Sequence, residues 1–353
     1  MNIIAIGINH RTSPIETREK FFLRSIDREL LLSELKNQPS VLEALTLSTC
    51  NRTEIYASTL GEDSAVLLRT LFSVKKILPT EELQKQFYLY RGKDAVVHLL
   101  RVACGLDSLI VGEQQILGQL KEAVLLSRKQ NMIARHFNIL THIAIRAGKK
   151  AQTETKIGAG GSSVSWAAVT MAEQTLGTLE GKSVLIVGAG KMGSLVGDYL
   201  KQKNVGQVYV MNRSEDKGAL LARQLGGAPV SFWDMREILN KVDVCICSVG
   251  APHYLIEKDL VEPVMKGKNS RRLVFIDISM PRNIHPNVGS VKNVSLLTID
   301  DLDKVVEDNV KKRFAAVGDV EQIIFKKVDE FYFKISRLNA QEFSVEKCAV
   351  ETH

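Results

Sequence analysis

Nowhere in the 353 residues do eighteen apolar residues run together, which excludes a helical membrane span of ordinary length. The N-terminal apolar run covers only residues 3–8 and is too short for a secretory signal core. The five cysteines are an odd number without the spacing of a disulfide framework; this points to a reducing, cytoplasmic setting. Cys245 and Cys247 have no matching His/Cys pair nearby, so no metal site is expected. No block of Lys and Arg reaches five residues, although the net charge is +7 and the pI near 9.0. A positive field spread in this way speeds encounter with a polyanion without specifying one.

What remains is 45% apolar and 25% charged, the balance of a folded globular chain long enough for two or three units. One stretch organises the first of them: Ser48-Thr49-Cys50-Asn51-Arg52-Thr53-Glu54-Ile55-Tyr56. Its flanks read as strands, so a thiol, a guanidinium and a carboxylate crowd the tip of a turn. Cys50 is either a reactive thiol, with Arg52 expected to lower its pKa, or a buried structural one.

Around this turn, short strands at 2–8 and 86–90 alternate with helices near 15–23, 27–36 and 67–76, Asp27 capping the second. From Asp94 the chain is helical. His98 lies among apolar residues and reads by itself as a packed core histidine, and Cys104 as core. Residues 105–119 interleave glycines with Ser108, Glu113, Gln114, Gln115 and Gln119, polar groups that need partners if buried. They fit either a pocket for a small polar ligand or a capped surface turn. Helix resumes over 121–152 with a break near Asn131, and 153–163 reads as a linker.

A buried strand then runs into Gly188-Ala189-Gly190-Lys191-Met192-Gly193 and on into a helix, the strand–turn–helix context that gives G-x-G-x-x-G its meaning. Those glycines let backbone amides approach a pyrophosphate at the positive end of the helix. The next strand ends in Asn212-Arg213-Ser214, where an NAD binder usually places Asp or Glu; Arg213 argues for the 2′-phosphate of NADP(H). The loops after later strands, 248–252 and 277–282, are expected to flank the nicotinamide half. From about 300, Val306, Val310, Phe314, Val317, Ile324, Val328, Phe331, Ile335 and Leu338 form one apolar face of a helix roughly 58 Å long at 1.5 Å per residue, or of two helices broken near Gly318. The expected fold is α/β: an N-terminal α+β domain over 1–157, a Rossmann-type dinucleotide domain over 158–298, and a long C-terminal helix within 299–353.

These residues resemble one family, glutamyl-tRNA reductase. The resemblance rests on Gly7-x-Asn9-His10-Arg11-Thr12-x-Pro14, the Ser48–Glu54 stretch, Gly105-Leu106-Asp107-Ser108 through Gly118-Gln119, Thr153-Glu154-Thr155-x-Ile157-Gly158-Ala159, the dinucleotide fingerprint, and Asp277-Ile278-x-x-Pro281-Arg282. It implies NADPH-dependent reduction of glutamyl-tRNA(Glu) to glutamate-1-semialdehyde through a cysteine thioester, the first step of porphyrin synthesis from glutamate. It further implies that Cys50 is the nucleophile and His98 a catalytic acid/base or carbonyl-orienting group. Arg52 would clamp the glutamate carboxylate, with Thr49, Asn51, Ser108, Glu113, Gln114, Gln115 and Gln119 at glutamate-recognition positions. Glutamate-1-semialdehyde aminomutase and a second copy of the chain are the implied protein partners. Members of the family usually continue for dozens of residues past the long helix into a dimerisation domain, whereas this sequence ends at His353; either the chain is short or its dimer contact is reduced, which weakens the expected homodimer. Gln152 replaces a common arginine, and Ser279-Met280 the usual Ala-Val. Two other readings stay open: an NADP-dependent dehydrogenase of a free small carbonyl compound, and an inert tRNA-binding protein.

Overall fold

The computed structural model describes residues 2–61, 63–158, 163–267 and 271–350, without the side chains of 303–315, 339 and 341–350. The chain forms two compact units, Met1–Gly160 with Val310–His353, and Gly161–Asn309.

The first unit is built on a four-stranded antiparallel sheet of β1 (Asn2–Asn9), β2 (Val41–Ser48), β3 (Arg52–Thr59) and β4 (Tyr88–Arg91), in the order β2-β3-β1-β4. Successive strand residues face opposite sides. Ile4, Ile6, Ile8, Ile55 and Ala57 share one core with α1 (Ile15–Phe21), α2 (Ser25–Lys36) and α3 (Ala65–Lys75). Ile3, Ala5, Leu45, Leu47 and Tyr56 share another with α5 (Gly92–Ala103), α6 (Gln115–Lys129) and α7 (Arg135–Glu154). A short α4 (Glu81–Gln84) precedes β4. Because both faces are covered, β1 is apolar at nearly every position. Asp27 is not the cap of α2 but its third residue, its carboxylate accepting from the Arg24 backbone N–H at 3.1 Å.

The segment read as a linker from 153 is ordered structure at its start: α7 runs to Glu154 and Ile157 is fully buried in the core. Residues 159–162 of that segment lie outside the described residues.

The second unit opens with α8 (Val164–Leu176) and holds a six-stranded parallel sheet. Its strands are β5 (Ser183–Val187), β6 (Gln207–Met211), β7 (Ala228–Val230), β8 (Val244–Cys247), β9 (Leu273–Asp277) and β10 (Val294–Thr298), interleaved with α9 (Lys191–Lys201), α10 (Glu215–Leu225), α11 (Met235–Lys241) and α12 (Lys258–Gly267). The order β10-β9-β8-β5-β6-β7 reverses direction between β5 and β8, the switch point where a dinucleotide sits in such sheets.

The chain ends in α13 (Asp303–Val350), unbroken at Gly318. Ala316, Val320, Ile324, Val328 and Phe331 bury against the α5–α7 core of the first unit, which is what covers the apolar stripe. Val306, Val310, Phe314 and Cys348 lie outside the described side chains. Among the described residues no helix is long and apolar enough to cross a membrane.

Candidate functional site

The turn between β2 and β3 is closed by Thr49 N–H donating to Arg52 O at 2.8 Å, which leaves Cys50 and Asn51 as its two tip residues. It is held from three sides. Asn51 N–H donates to Thr49 Oγ1 (3.2 Å), His10 N–H to Asn51 O (3.0 Å), and Leu23 N–H to Ser48 Oγ (2.9 Å).

Behind the tip lies a buried polar network. Arg52 Nη1 donates to Glu54 Oε1 at 2.7 Å and Asp107 Oδ2 at 2.9 Å, and Nη2 donates to the Asp107 carbonyl. Arg11 binds the other oxygen of Asp107 at 3.0 Å. Glu54 accepts besides from Tyr56 OH (2.7 Å) and Tyr88 OH, and pairs with His98 Nε2 at 2.9 Å. Burial alone would raise the Glu54 carboxyl, but the charge of Arg52, then that of His98, hold it far below the usual carboxylate range. Gly7 makes room for this arrangement: a Cβ there would sit 2.8 Å from Glu54 Cγ and 3.0 Å from Tyr88 OH. Glu54, His98 and Asp107 bring ligand atoms within 4.8 Å of one another, yet both carboxylates already hold a guanidinium, which opposes a metal cation there.

Cys50 does not have the lowered pKa expected from Arg52. Burial pushes its thiol up to about 12, and the Glu113 carboxylate adds to the rise; Arg18 and Arg52 oppose it without prevailing. Burial outweighs both guanidiniums, and Arg52 is itself shared between Glu54 and Asp107. Glu113 is itself buried and pushed up to about 7 by that burial. Replacing Glu113 by Gln removes the charge that raises Cys50, so iodoacetamide should alkylate Cys50 several-fold faster at pH 8. Mass spectrometry of the Cys50 peptide checks this; an unchanged rate separates the two groups.

Of the residues predicted from sequence, Thr49, Asn51, Arg52, Ser108, Glu113 and His98 are buried, Gln115 and Gln119 are half-buried, and Gln114 is exposed. Among the described residues Asn51 Oδ1 and Gln115 Nε2 have no hydrogen-bond partner, one a buried acceptor and the other a buried donor. His98 reaches Glu54, and among the described hydrogen bonds none joins it to Cys50. Sequence reasoning quoted His10 and Arg11 only as motif letters. Burial, then the charges of Arg52 and Arg11, lower the His10 imidazole to about 4, and its Nδ1 has no partner among the described residues.

In the second unit a cavity of about 490 Å³ is lined by Ala189, Gly190, Asn212, Arg213, Ser214 and Lys217 on one side and by Phe232 and 249–253 with Leu255 on the other. Asn212 ties the glycine turn in place, accepting from Ala189 N–H at 3.0 Å through Oδ1 and donating to Ser214 O at 2.8 Å. Gly188 and Gly193 lie beneath the cavity rather than on its wall; a Cβ on Gly193 would stand 1.8 Å from Gly188 O, so only glycine lets α9 start this close to β5. Lys191 and Met192 do not line the cavity either. Lys217 was missed, although its i+4 spacing from Arg213 at a helix start was a usable signal. The glycine cradle and two cations fit a dinucleotide with an extra phosphate. Asp277 is a buried brace, accepting from the N–H groups of Ser279 (3.0 Å), Asn283 (2.7 Å) and Ile284 (2.8 Å). Asn283 Nδ2 in turn donates to Ala251 O and His253 O, both at 3.0 Å, which fixes the cavity wall.

Comparison with known proteins agrees with this division. The profile of the glutamyl-tRNA(Glu) reductase N-terminal domain matches residues 6–155, and that of shikimate/quinate 5-dehydrogenase matches 170–305. The chain is 40% identical to a glutamyl-tRNA reductase of Paenibacillus macerans over 94% of its own length and 76% of the relative's. It is 37% identical to that of Citrifermentans bemidjiense over 100% and 81%. Among solved structures, glutamyl-tRNA reductase from Methanopyrus kandleri superposes with a TM-score of 0.53 at 33% identity, covering 96% of this chain and 82% of that one.

Proposed function

The chain belongs to the glutamyl-tRNA reductase family, an oxidoreductase family of tetrapyrrole biosynthesis, and from that premise we propose how its own residues carry the reaction. Cys50 attacks the ester carbonyl of glutamyl-tRNA(Glu). A C–S bond forms, the ester C–O bond breaks, and the tRNA leaves with a terminal hydroxyl. Covalent capture divides one difficult acyl-to-aldehyde conversion into two easier steps. The thiol proton needs an acceptor, and Glu113, whose charge acts on Cys50 and whose own carboxyl is pushed up to about 7, is the candidate.

Three of the five N–H donors of Arg52 are committed to Glu54 and Asp107, so the clamp on the substrate's side-chain carboxylate rests on the remaining two. Thr49, Asn51, Ser108, Gln114, Gln115 and Gln119 complete glutamate recognition, with the unpaired Asn51 Oδ1 and Gln115 Nε2 as the atoms most in need of a partner. His98, bonded to Glu54, acts as a positioning or proton-transferring group behind the tip.

The nicotinamide cofactor is NADPH, which when bound supplies the hydride that converts the thioester to glutamate-1-semialdehyde and frees Cys50. Arg213 and Lys217 would hold its 2′-phosphate, and the 188–193 turn its pyrophosphate. Arg213→Ala should raise KM for NADPH by about tenfold or more, the size of a lost charge-assisted bond, and leave KM for NADH within about twofold. Equal losses for the two cofactors would remove the assignment. Delivery of the aldehyde to glutamate-1-semialdehyde aminomutase, a homodimer and a cytoplasmic setting belong to the same reading.

The observation that carries the proposal is a lone cysteine at a tightly held turn, backed by a buried Arg52–Glu54–His98–Asp107 network. Incubation with glutamyl-tRNA labelled in the glutamyl group tests it. Label should stay on Cys50 without NADPH and leave as aldehyde when NADPH is added.

A further inference from the structure

Almost all of the chain's excess charge sits in one place. Residues 121–156 hold eight Lys and Arg against two Glu, a net +6 out of +7 for the whole sequence. This stretch is the second half of α6 and all of α7, which form an antiparallel hairpin through the turn at Asn131. Two contacts fix the pairing: Arg128 Nη2 donates to Asn138 Oδ1 at 2.7 Å, and a Cβ on Gly148 would lie 2.8 Å from Leu117 Cδ1.

The hairpin's open end is at the polar segment of the candidate site. α6 starts at Gln115, directly after Glu113 and Gln114, and the chain leaving α7 brings the Ile157 carbonyl against Gly112, where a Cβ would be only 1.9 Å away. Lys149 and Lys150 are therefore near the site, Arg146 follows one turn back, and Arg128, Lys129 and Arg135 stand at the closed end. Arg135 and Lys150 are fifteen residues apart on α7, which makes this separation about 22 Å. Five of these six side chains are exposed and Lys150 is half-buried. Arg146 is bridged to Glu330 at 3.3 Å and Lys150 to Glu154 at 3.3 Å, whereas Lys129 and Lys149 have no carboxylate within ion-pair distance among the described residues.

We propose that the α6–α7 hairpin is the track on which the acceptor arm of the tRNA lies, its phosphates contacted by the basic residues of 128–150 while the 3′ end reaches Cys50. This rests on the reading of an aminoacyl-tRNA substrate. Since the reacting ester is on the 3′ terminus, the part of the RNA next to the site is necessarily the acceptor arm. A cationic track about 22 Å long that starts near the site matches the backbone of such an arm. Double-helical RNA is recognised mainly through backbone and shape, so cations without base-reading partners suffice.

The test is the double reversal Lys129→Glu with Lys149→Glu, beside the control Lys201→Glu with Lys266→Glu on exposed helices of the second unit, which changes net charge equally. Uncharged tRNA(Glu) binding is measured from 50 to 200 mM salt, together with NADPH binding and thermal melting. The track variant should bind tRNA at least tenfold more weakly, with a log Kd against log salt slope lower by about one for each lysine lost, while NADPH binding and melting stay at wild-type values. The control should bind tRNA within about twofold of wild type. Equal weakening in both variants, or unchanged binding in the track variant, overturns the proposal; the second result would leave the patch to an acidic protein. If the double variant melts early, Lys129→Gln and Lys149→Gln are measured singly. A wild-type protein that binds tRNA but never reduces glutamyl-tRNA would instead refute the catalytic reading and leave the track standing.

Discussion

Cys50→Ser should abolish reduction of glutamyl-tRNA, lowering single-turnover rate by about 10³-fold or more, the order seen when an enzyme loses its nucleophile. The site makes the demand on this atom severe. Burial and the Glu113 carboxylate already push the thiol up to about 12, and a serine hydroxyl, with a far higher intrinsic pKa, has no route to an alkoxide there. The substitution exchanges one atom at a half-buried position, so melting temperature and NADPH binding should stay at wild-type values. Glutamyl-tRNA labelled in the acyl group, quenched in acid and resolved from free tRNA, gives the readout. Label retained by wild type and absent from Cys50→Ser supports thioester chemistry, and wild-type turnover by the serine variant would sink it.

Arg52→Ala should be the most destabilising single change in the first unit. Its side chain is about 1% exposed and balances two carboxylates, Glu54 and Asp107, that are almost as deeply buried. Removing it leaves two buried carboxylates with only His98 and the exposed Arg11 as partners, which costs about 3–5 kcal/mol. For a unit of this size the melting temperature should fall by about 10 °C or more. Acid would recover part of the loss. Glu54 is held below the usual carboxylate range by Arg52 first and by His98 next; without Arg52 its folded pKa rises toward the unfolded one, so the wild type loses stability as pH falls through its folded pKa and the gap between the two proteins narrows in acid. Arg52→Lys should restore little, since an ammonium cannot span Glu54 Oε1, Asp107 Oδ2 and the Asp107 carbonyl as the planar fork does. A melt of Arg52→Ala within 2 °C of wild type would show that the network does not hold the turn.

Local signals in the sequence went far. The strands around Cys50, the glycine turn and the α6–α7 break were legible because they depend on apolar spacing and on Gly and Asn in turns. What was not legible depends on partners distant in the chain. Arg52 looked like a cation free to lower the Cys50 pKa because Asp107, 55 positions away, could not be seen to share it. Ile157 looked like linker because its burial depends on Gly112. The choice between one helix and two at Gly318 was open because intrinsic preference is weak, and the first unit's core decided it.

The core behind Cys50 has a consequence for biosynthesis. One wall of it is α13, whose Val320, Ile324, Val328 and Phe331 leave the ribosome after the whole Gly161–Asn309 unit. The nascent first unit must therefore wait with its α5–α7 surface uncovered while the later, contiguous unit is free to fold, an inversion of the usual N-terminal-first order. Messages truncated before codon 316 would yield a sound dinucleotide unit attached to a first unit with an open apolar flank, a natural substrate for chaperones and proteases.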